Sequence, residues 1–268
     1  MYRIGFDAKR LFNNFTGLGN YSRTLLKNLA DYYPDNAYFL YTPKVQRNDE
    51  THYFLNSPMY SVREPKTGQR LLWRSRRILN ALRSDRIDLY HGLSHELPLG
   101  ITSSGIPAIV TIHDLIFKHY PEQYGLLDRQ LYDFKFRYAC ERADHIIAIS
   151  ESTRQDIIKF YDIPPEKITV IYQSCHERFI QERSQKTIDS VLYKHDLPSD
   201  YFLYVGSLIP RKNLLGIVKA MSLLPPDLRL PLVIIGNGPA YKTKVVQYAK
   251  AQGLESHLRF IQPDFADL

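Results

Sequence analysis

The sequence predicts an α/β protein built from two parallel sheets wrapped in helices. Three observations carry that reading. Short apolar, β-branched or aromatic runs alternate with longer helical patterns along most of the 268 residues. Glycine-rich or charged turns follow several of the runs. The rhythm lapses once, near residues 173–199, and then resumes.

The first set of strands falls at Tyr2–Phe6, Ala37–Tyr41, Ile87–Tyr90, Ala108–Ile112, His145–Ile149 and Ile168–Ile171. Helices are expected near Asn20–Tyr33, Gln69–Leu82, Asp128–Arg142 and Ser152–Phe160, the last capped by Ser150 or Ser152. The second set places strands at Tyr201–Val205, Leu232–Ile235 and Leu258–Ile261, with helices at Asn213–Leu224 and Ala240–Gln252. The expected organisation is a domain over 1–172, a linker over 173–199 and a second domain over 200–268. Three strands make a thin open sheet, so the second domain is expected to be incomplete.

Composition narrows the class. A content of 44% hydrophobic and 24% charged residues fits a soluble globular protein, and no run approaches the roughly 18 apolar residues of a membrane span. Two cysteines exclude a disulfide framework and a cysteine zinc site, and point to the cytoplasm. The net charge of +7 is concentrated: Lys66, Arg70, Arg74, Arg76, Arg77, Arg83 and Arg86 face one acid, Asp85. With Leu71, Leu72, Ile78, Leu79 and Leu82, this segment is amphipathic. It reads as a helix packed on the sheet with charges in water, or as a contact to the inner face of the membrane through 66–86. None of the recognised nucleic-acid-binding motifs is present, so nucleic acid is not an expected partner.

Four motifs carry candidate chemistry. Thr16–Ser22 opens a helix with Gly17 and Gly19, where backbone amides favour an anion, although a strand-to-helix turn also uses glycine for geometry alone. Thr111-Ile112-His113-Asp114 ends an apolar strand, where ligands of open sheets collect, and the plain alternative is a capping Asp114 with a packed His113. Gly206 ends the next strand and is followed by Arg211 and Lys212 ahead of a helix. Cations there oppose the helix dipole, so an anionic ligand explains them better than a solvated pair does. Gly236-Asn237-Gly238-Pro239 is a second strand-to-helix turn that either admits a nucleotide or merely turns the chain. His91 and His95 lie in an expected loop and do not suggest a metal site.

Taken in order, these motifs resemble glycosyltransferase family 4, the retaining GT-B enzymes. The resemblance rests on Gly5–Arg10, Thr16–Ser22, Thr111–Asp114, Ala148–Thr153, Val170–Tyr172 and the stretch from Val205-Gly206 to Arg211-Lys212-Asn213. It implies a GT-B-like fold of two Rossmann-like domains and transfer of a hexose, of mannose or glucose type, from a GDP- or UDP-sugar to a saccharide or lipid-linked acceptor. Arg211 and Lys212 would hold the diphosphate, Gly206 and Gly236 line the nucleotide side, Gly17 and Gly19 approach the diphosphate, and His113 meet the transferred sugar. It implies no cofactor and no catalytic metal. The family's Glu-x7-Glu motif has no counterpart before Leu268, which again implies an incomplete second domain. Two other readings stay open: a non-catalytic nucleotide-binding module completed by a partner, and a GT-B sugar-nucleotide epimerase.

Overall fold

In the computed structural model, which describes residues 1–66, 73–175, 179–264 and 267, the chain forms two compact units, Met1–Ile180 and Gln181–Leu268. Strands of the first unit are β1 (Arg3–Asp7), β2 (Ala37–Tyr41), β3 (Tyr60–Arg63), β4 (Leu89–Gly92), β5 (Ala108–Ile112), β6 (His145–Ala148) and β7 (Ile168–Val170). They are all parallel and run in the order β3-β2-β1-β4-β5-β6-β7. The chain works outward from β1 in one direction and then returns to its other side with β4. That reversal opens a crevice at the carboxyl ends of β1 and β4.

Helices α1 (Lys9–Asn13), α2 (Gly17–Tyr32), α3 (Asp49–Asn56), α4 (Ile78–Ser84), α5 (Ile116–His119), α6 (Leu126–Arg142) and α7 (Glu151–Tyr161) accompany the sheet. Strand alternation explains the two cores. Tyr38 and Leu40 of β2 face one side with Phe6, Phe12, Leu26 and Phe54, while Phe39 and Tyr41 face the other with Trp73, Ile78, Leu82 and Tyr90. Two of the buried tyrosines satisfy their hydroxyls across the sheet: Tyr41 donates to Asp85 Oδ2 at 2.7 Å and Tyr60 to the Leu26 carbonyl at 2.9 Å. Ser150 caps α7, its Oγ accepting from the Thr153 amide at 3.1 Å.

The second unit contains α8 (Gln185–Lys194), β8 (Phe202–Val205), α9 (Leu214–Leu223), β9 (Leu232–Ile235), α10 (Pro239–Ala251) and β10 (Leu258–Ile261). Its three parallel strands run β10-β9-β8. Tyr204, Leu214, Val218, Leu232, Ile234 and Val245 form its core. Strand β8 is an edge on which Leu203 and Val205 are 57% and 62% exposed.

Several elements differ from the sequence reading. The segment 173–199, expected as a linker, contains α8, because the Ser184 hydroxyl caps the Thr187 amide and starts a helix there. His176 and Arg178 of that segment lie outside the described residues. Strand β3 and helices α1 and α3 were not expected. The helix expected over Gln69–Leu82 begins, as far as it is described, with a π-helical turn at Trp73–Arg77 that passes into α4. Arg70, Leu71 and Leu72 lie outside the described residues.

That π turn swings Arg74 inward. Asp7, at the end of β1, is 2% exposed, and Arg74 grips it with Nε at 2.9 Å from Oδ2 and with a second guanidinium nitrogen. The remaining Arg74 nitrogen donates to Glu96 Oε2 at 2.7 Å, and Lys135 of α6 meets the same oxygen at 3.3 Å. Its two carboxylate partners hold the Arg74 pKa above its ordinary value despite burial. Removing one partner of a buried ion pair leaves a desolvated charge and costs about 3–5 kcal/mol. Arg74→Met is therefore expected to lower the urea-unfolding free energy by that amount, with Asp7→Asn added to it recovering part of the loss.

Candidate functional site

The residues singled out in the first unit gather at the carboxyl ends of β1, β4 and β5. His113 follows β5 and is 6% exposed. Its Nε2–H donates to the Leu93 carbonyl at 2.9 Å, and the Gln173 carboxamide donates to its Nδ1 at 2.8 Å. These partners require a neutral ring with its proton on Nε2. Tyr21 of α2 meets the ring edge-on at 4.7 Å between centroids. The Tyr21 hydroxyl in turn lies 3.0 Å from Thr111 Oγ1, which is 2.8 Å from His91 Nε2.

His95 completes the cluster. It sits in the left-handed region at φ +63°, its amide donating to the Thr111 carbonyl at 3.0 Å. Its ring stacks on Phe136 at 4.2 Å and approaches the His113 ring at 5.1 Å. Burial depresses the basicity of all three histidines. His91 is pushed down to about 3, His95 falls well below its ordinary value, and His113 is also lowered. The cluster is uncharged at neutral pH. His91, expected in a loop, lies in β4 because its backbone pairs with β1 and β5, and His95 lies in the loop after it; both pack as neutral donors and acceptors around Thr111 and His113. Their spacing of four residues gave no sign of this, because the partner lies eighteen residues further on. Among the described residues no group of three His, Cys, Asp or Glu is disposed to hold a metal ion.

Gly17 and Gly19 both lie in the first turn of α2, yet they differ. A Cβ on Gly19 would stand 1.6 Å from the Asn14 carbonyl oxygen, whereas one on Gly17 would meet nothing within 4 Å. The Gly19 amide is also taken up, donating to Asn14 Oδ1 at 3.1 Å and to the Thr16 carbonyl at 3.0 Å. Gly19 thus packs α2 against the turn before it, and Gly17 is the open position.

In the second unit the two glycine turns interlock. Gly206 and Gly236 follow β8 and β9 with φ of +157° and +155°, and a Cβ on Gly236 would lie 1.8 Å from the Gly206 carbonyl oxygen. The Gly206 amide donates to the Ile235 carbonyl at 2.9 Å and the Leu208 amide to the Asn237 carbonyl at 2.8 Å. Arg211 and Lys212 form a single 3-10 turn, Pro210–Lys212, and Asn213 rather than either cation caps α9, accepting from the Gly216 amide at 3.2 Å. Among the described residues neither cation is in an ion pair. At the Gly236–Gly238 turn lies a pocket of about 330 Å³ lined by Leu208, Gly236, Asn237, Gly238, Lys242 and Phe260, with Lys242 Nζ 4.1 Å from the Phe260 ring centre. The sequence had marked its glycines but not Lys242 or Phe260, which only the fold brings to the strand ends.

A family model described as Glycosyltransferase Family 4 matches residues 15–174, and one described as Glycosyl transferases group 1 matches 186–264. The chain belongs to glycosyltransferase family 4. This family 4 chain is 30% identical over 250 residues to O-antigen chain mannosyltransferase B of Escherichia coli, covering 87% of the chain and 64% of that protein. It is 31% identical over 176 residues to the serotype-specific mannosyltransferase WbdA of Escherichia coli, covering 63% of the chain and 22% of WbdA. It therefore spans less than two thirds of the length of these relatives. Among solved structures, Anabaena Alr3699/HepE in complex with UDP superposes with a TM-score of 0.68 at 15% identity, over 99% of this chain and 70% of that one. WaaG, a glycosyltransferase involved in lipopolysaccharide biosynthesis, gives 0.66 at 16% identity over 98% and 70%. These likenesses establish the GT-B fold.

Two outcomes follow from this geometry. Gly19→Ala is expected to cost about 3 kcal/mol or more, while Gly17→Ala stays within about 0.5 kcal/mol, as read by thermal unfolding. The neutral histidines make stability depend on pH. Because their folded pKa values lie below the ordinary one, the unfolded state binds protons that the folded state refuses. Stability should be full above about pH 6.5 and fall toward pH 3, by up to about 1.4 kcal/mol per pH unit for each histidine. Urea midpoints measured from about pH 7 to about pH 5 should reveal that slope, and His91→Gln should flatten it.

Proposed function

We propose that the protein is a retaining hexosyltransferase that moves mannose from a GDP- or UDP-sugar to a hydroxyl of a growing glycan or lipid-linked acceptor in the cytoplasm. The observation that carries the donor half is the unpaired Arg211–Lys212 turn after Gly206. The mannosyl and glycan assignments are supported by the names of the curated relatives.

The chemistry follows from where charge develops. Cleavage of the anomeric bond leaves an oxocarbenium-like sugar and builds negative charge on the diphosphate. Arg211 supplies a planar two-donor fork to the phosphate oxygens and Lys212 a compact charge. The 3-10 turn and the Asn213 cap fix the backbone from which both side chains reach. The interlocked Gly206 and Gly236 turns let a nucleotide lie against backbone, with its base in the adjoining pocket beside Asn237 and Phe260. In a retaining reaction the departing phosphate takes the acceptor proton. His113 has no base role in this scheme. Its neutral ring, fixed by Leu93, Gln173 and Tyr21, is a hydrogen-bonding surface for a sugar hydroxyl that replaces the exposed Gln173 side chain. Gly17, open on the first turn of α2, leaves room for a phosphate to approach.

For the basic segment, Arg74 is committed to Asp7, which leaves the exposed Lys66, Arg76, Arg77, Arg83 and Arg86 for contact with an anionic membrane surface. No helix among the described residues is long and apolar enough to cross a membrane.

Calorimetric titration with GDP and UDP tests the donor assignment. One nucleotide is expected to bind, and Arg211→Ala to weaken it at least about tenfold, or 1.4 kcal/mol, without lowering thermal stability. Unchanged affinity in the variant would refute the phosphate-clamp role.

A further inference from the structure

Helix α6 is apolar on two opposite sides, and the described residues cover only one of them. At about 100° per residue, Phe136, Ala139 and Cys140 share the inner side. Ala139 and Cys140 are fully buried in the first unit's core, and Phe136 stacks on His95. Leu127, Leu131, Phe134 and Tyr138 fall on the outer side, at the helical spacing i, i+4, i+7 and i+11. The first three are 82%, 48% and 56% exposed. At its C-terminal end the stripe runs into a pocket of about 50 Å³, whose apolar wall is Leu97, Pro98, Leu99, Phe134 and Tyr138. That wall is held in place: the Tyr138 hydroxyl donates to the Pro98 carbonyl at 3.3 Å and accepts from the Gly100 amide at 2.7 Å.

Scattered exposed leucines need no explanation, but a contiguous stripe that ends in a pocket marks an interaction surface. The pocket is far smaller than the roughly 300 Å³ of a small-molecule site, and suits the end of one aliphatic side chain. The polar flanks of the stripe decide what brings that side chain. Asp128 and Lys135 lie on one flank, Gln130 and Arg137 on the other. A helix lying in an anionic membrane surface carries cations on its polar side, whereas flanks of mixed sign suit a partner helix. These flanks complement themselves. In an antiparallel pair whose two-fold axis passes between residues 132 and 133, facing positions sum to 265. Leu131 then meets Phe134 of the second copy, Leu127 meets Tyr138, and Asp128 comes beside Lys135 on the same flank. The most exposed leucine of the stripe is thereby brought to the pocket, and every contact is made twice.

We infer that the Leu127–Leu131–Phe134 stripe is a dimer contact, which takes the same stripe of a second copy of this chain in antiparallel orientation. The contact lies wholly within the first unit and does not rest on the proposed transfer reaction. Its few side chains make a small interface, of the class that associates reversibly.

Sedimentation equilibrium across the micromolar range tests the contact, and the mean mass is expected to rise with concentration from one chain towards two. Leu131→Asp sets a charge against Phe134 of the second copy and is expected to weaken association at least about tenfold. Its melting temperature in dilute solution should match that of the unaltered chain, because Leu131 is a surface residue there. Orientation is read by cross-linking in a Cys175→Ser background, which removes the exposed native thiol. Combined under mild oxidation, Leu131→Cys and Phe134→Cys chains are expected to form a mixed disulfide in preference to either self-pair. Preferred self-pairing of the Leu131→Cys chain would mean a parallel contact and overturn the inference. So would a chain that stays monomeric throughout, or a dimer indifferent to Leu131→Asp. A monomer that sediments with phosphatidylglycerol vesicles, and fails to do so as Leu131→Asp, would overturn it in favour of a lipid surface.

Discussion

The buried pair between Asp7 and Arg74 is the interaction around which the first unit is arranged. It lies where the strand order reverses, and through Glu96 and Lys135 it ties β1, the π turn, the loop after β4 and helix α6 to one another. Such a pair adds little net stability, because desolvating two charges offsets their attraction. What it supplies is specificity, since any packing that moves one partner leaves the other charged in a dry setting. It also consumes the nearby carboxylates. The crevice is thereby left with neutral imidazoles, polar edges suited to hydroxyls.

The three histidines illustrate how burial selects chemistry. An imidazole exposed at neutral pH exchanges protons readily, whereas these rings are held uncharged by desolvation, and His113 is held by hydrogen bonds in a single tautomer. They act as fixed polar edges. A reaction whose leaving group accepts the acceptor proton does not require a side-chain base. The second unit complements this with the opposite device, cations held in an exposed turn.

Much of the fold could be read from the sequence. Strands Ala37–Tyr41, Ala108–Ile112, Leu232–Ile235 and Leu258–Ile261 are apolar runs with clear borders, and they appear within the limits expected. Strand β3 escaped because Tyr60-Ser61-Val62-Arg63 is short and half polar, and α8 because its polar residues look like a linker until Ser184 is seen as a cap. The candidate site was legible as a set of motifs but not as contacts. A charge run reads as a solvated face, so nothing in the sequence marks Arg74 as internal and Arg76 as external; the π turn decides that. Gly17 and Gly19 look equivalent on paper, and only the carbonyl of Asn14 separates them.

Strand β8 carries a consequence for the behaviour of the chain in solution. Leu203 and Val205 are exposed on a strand whose outer edge is unpaired among the described residues, and its backbone groups there are open to another strand. Nothing on β8 blunts that edge, since Phe202-Leu203-Tyr204-Val205 contains no lysine, proline or bulge. A strand laid along β8 would therefore extend this sheet through backbone hydrogen bonds, whatever the side chains it carried.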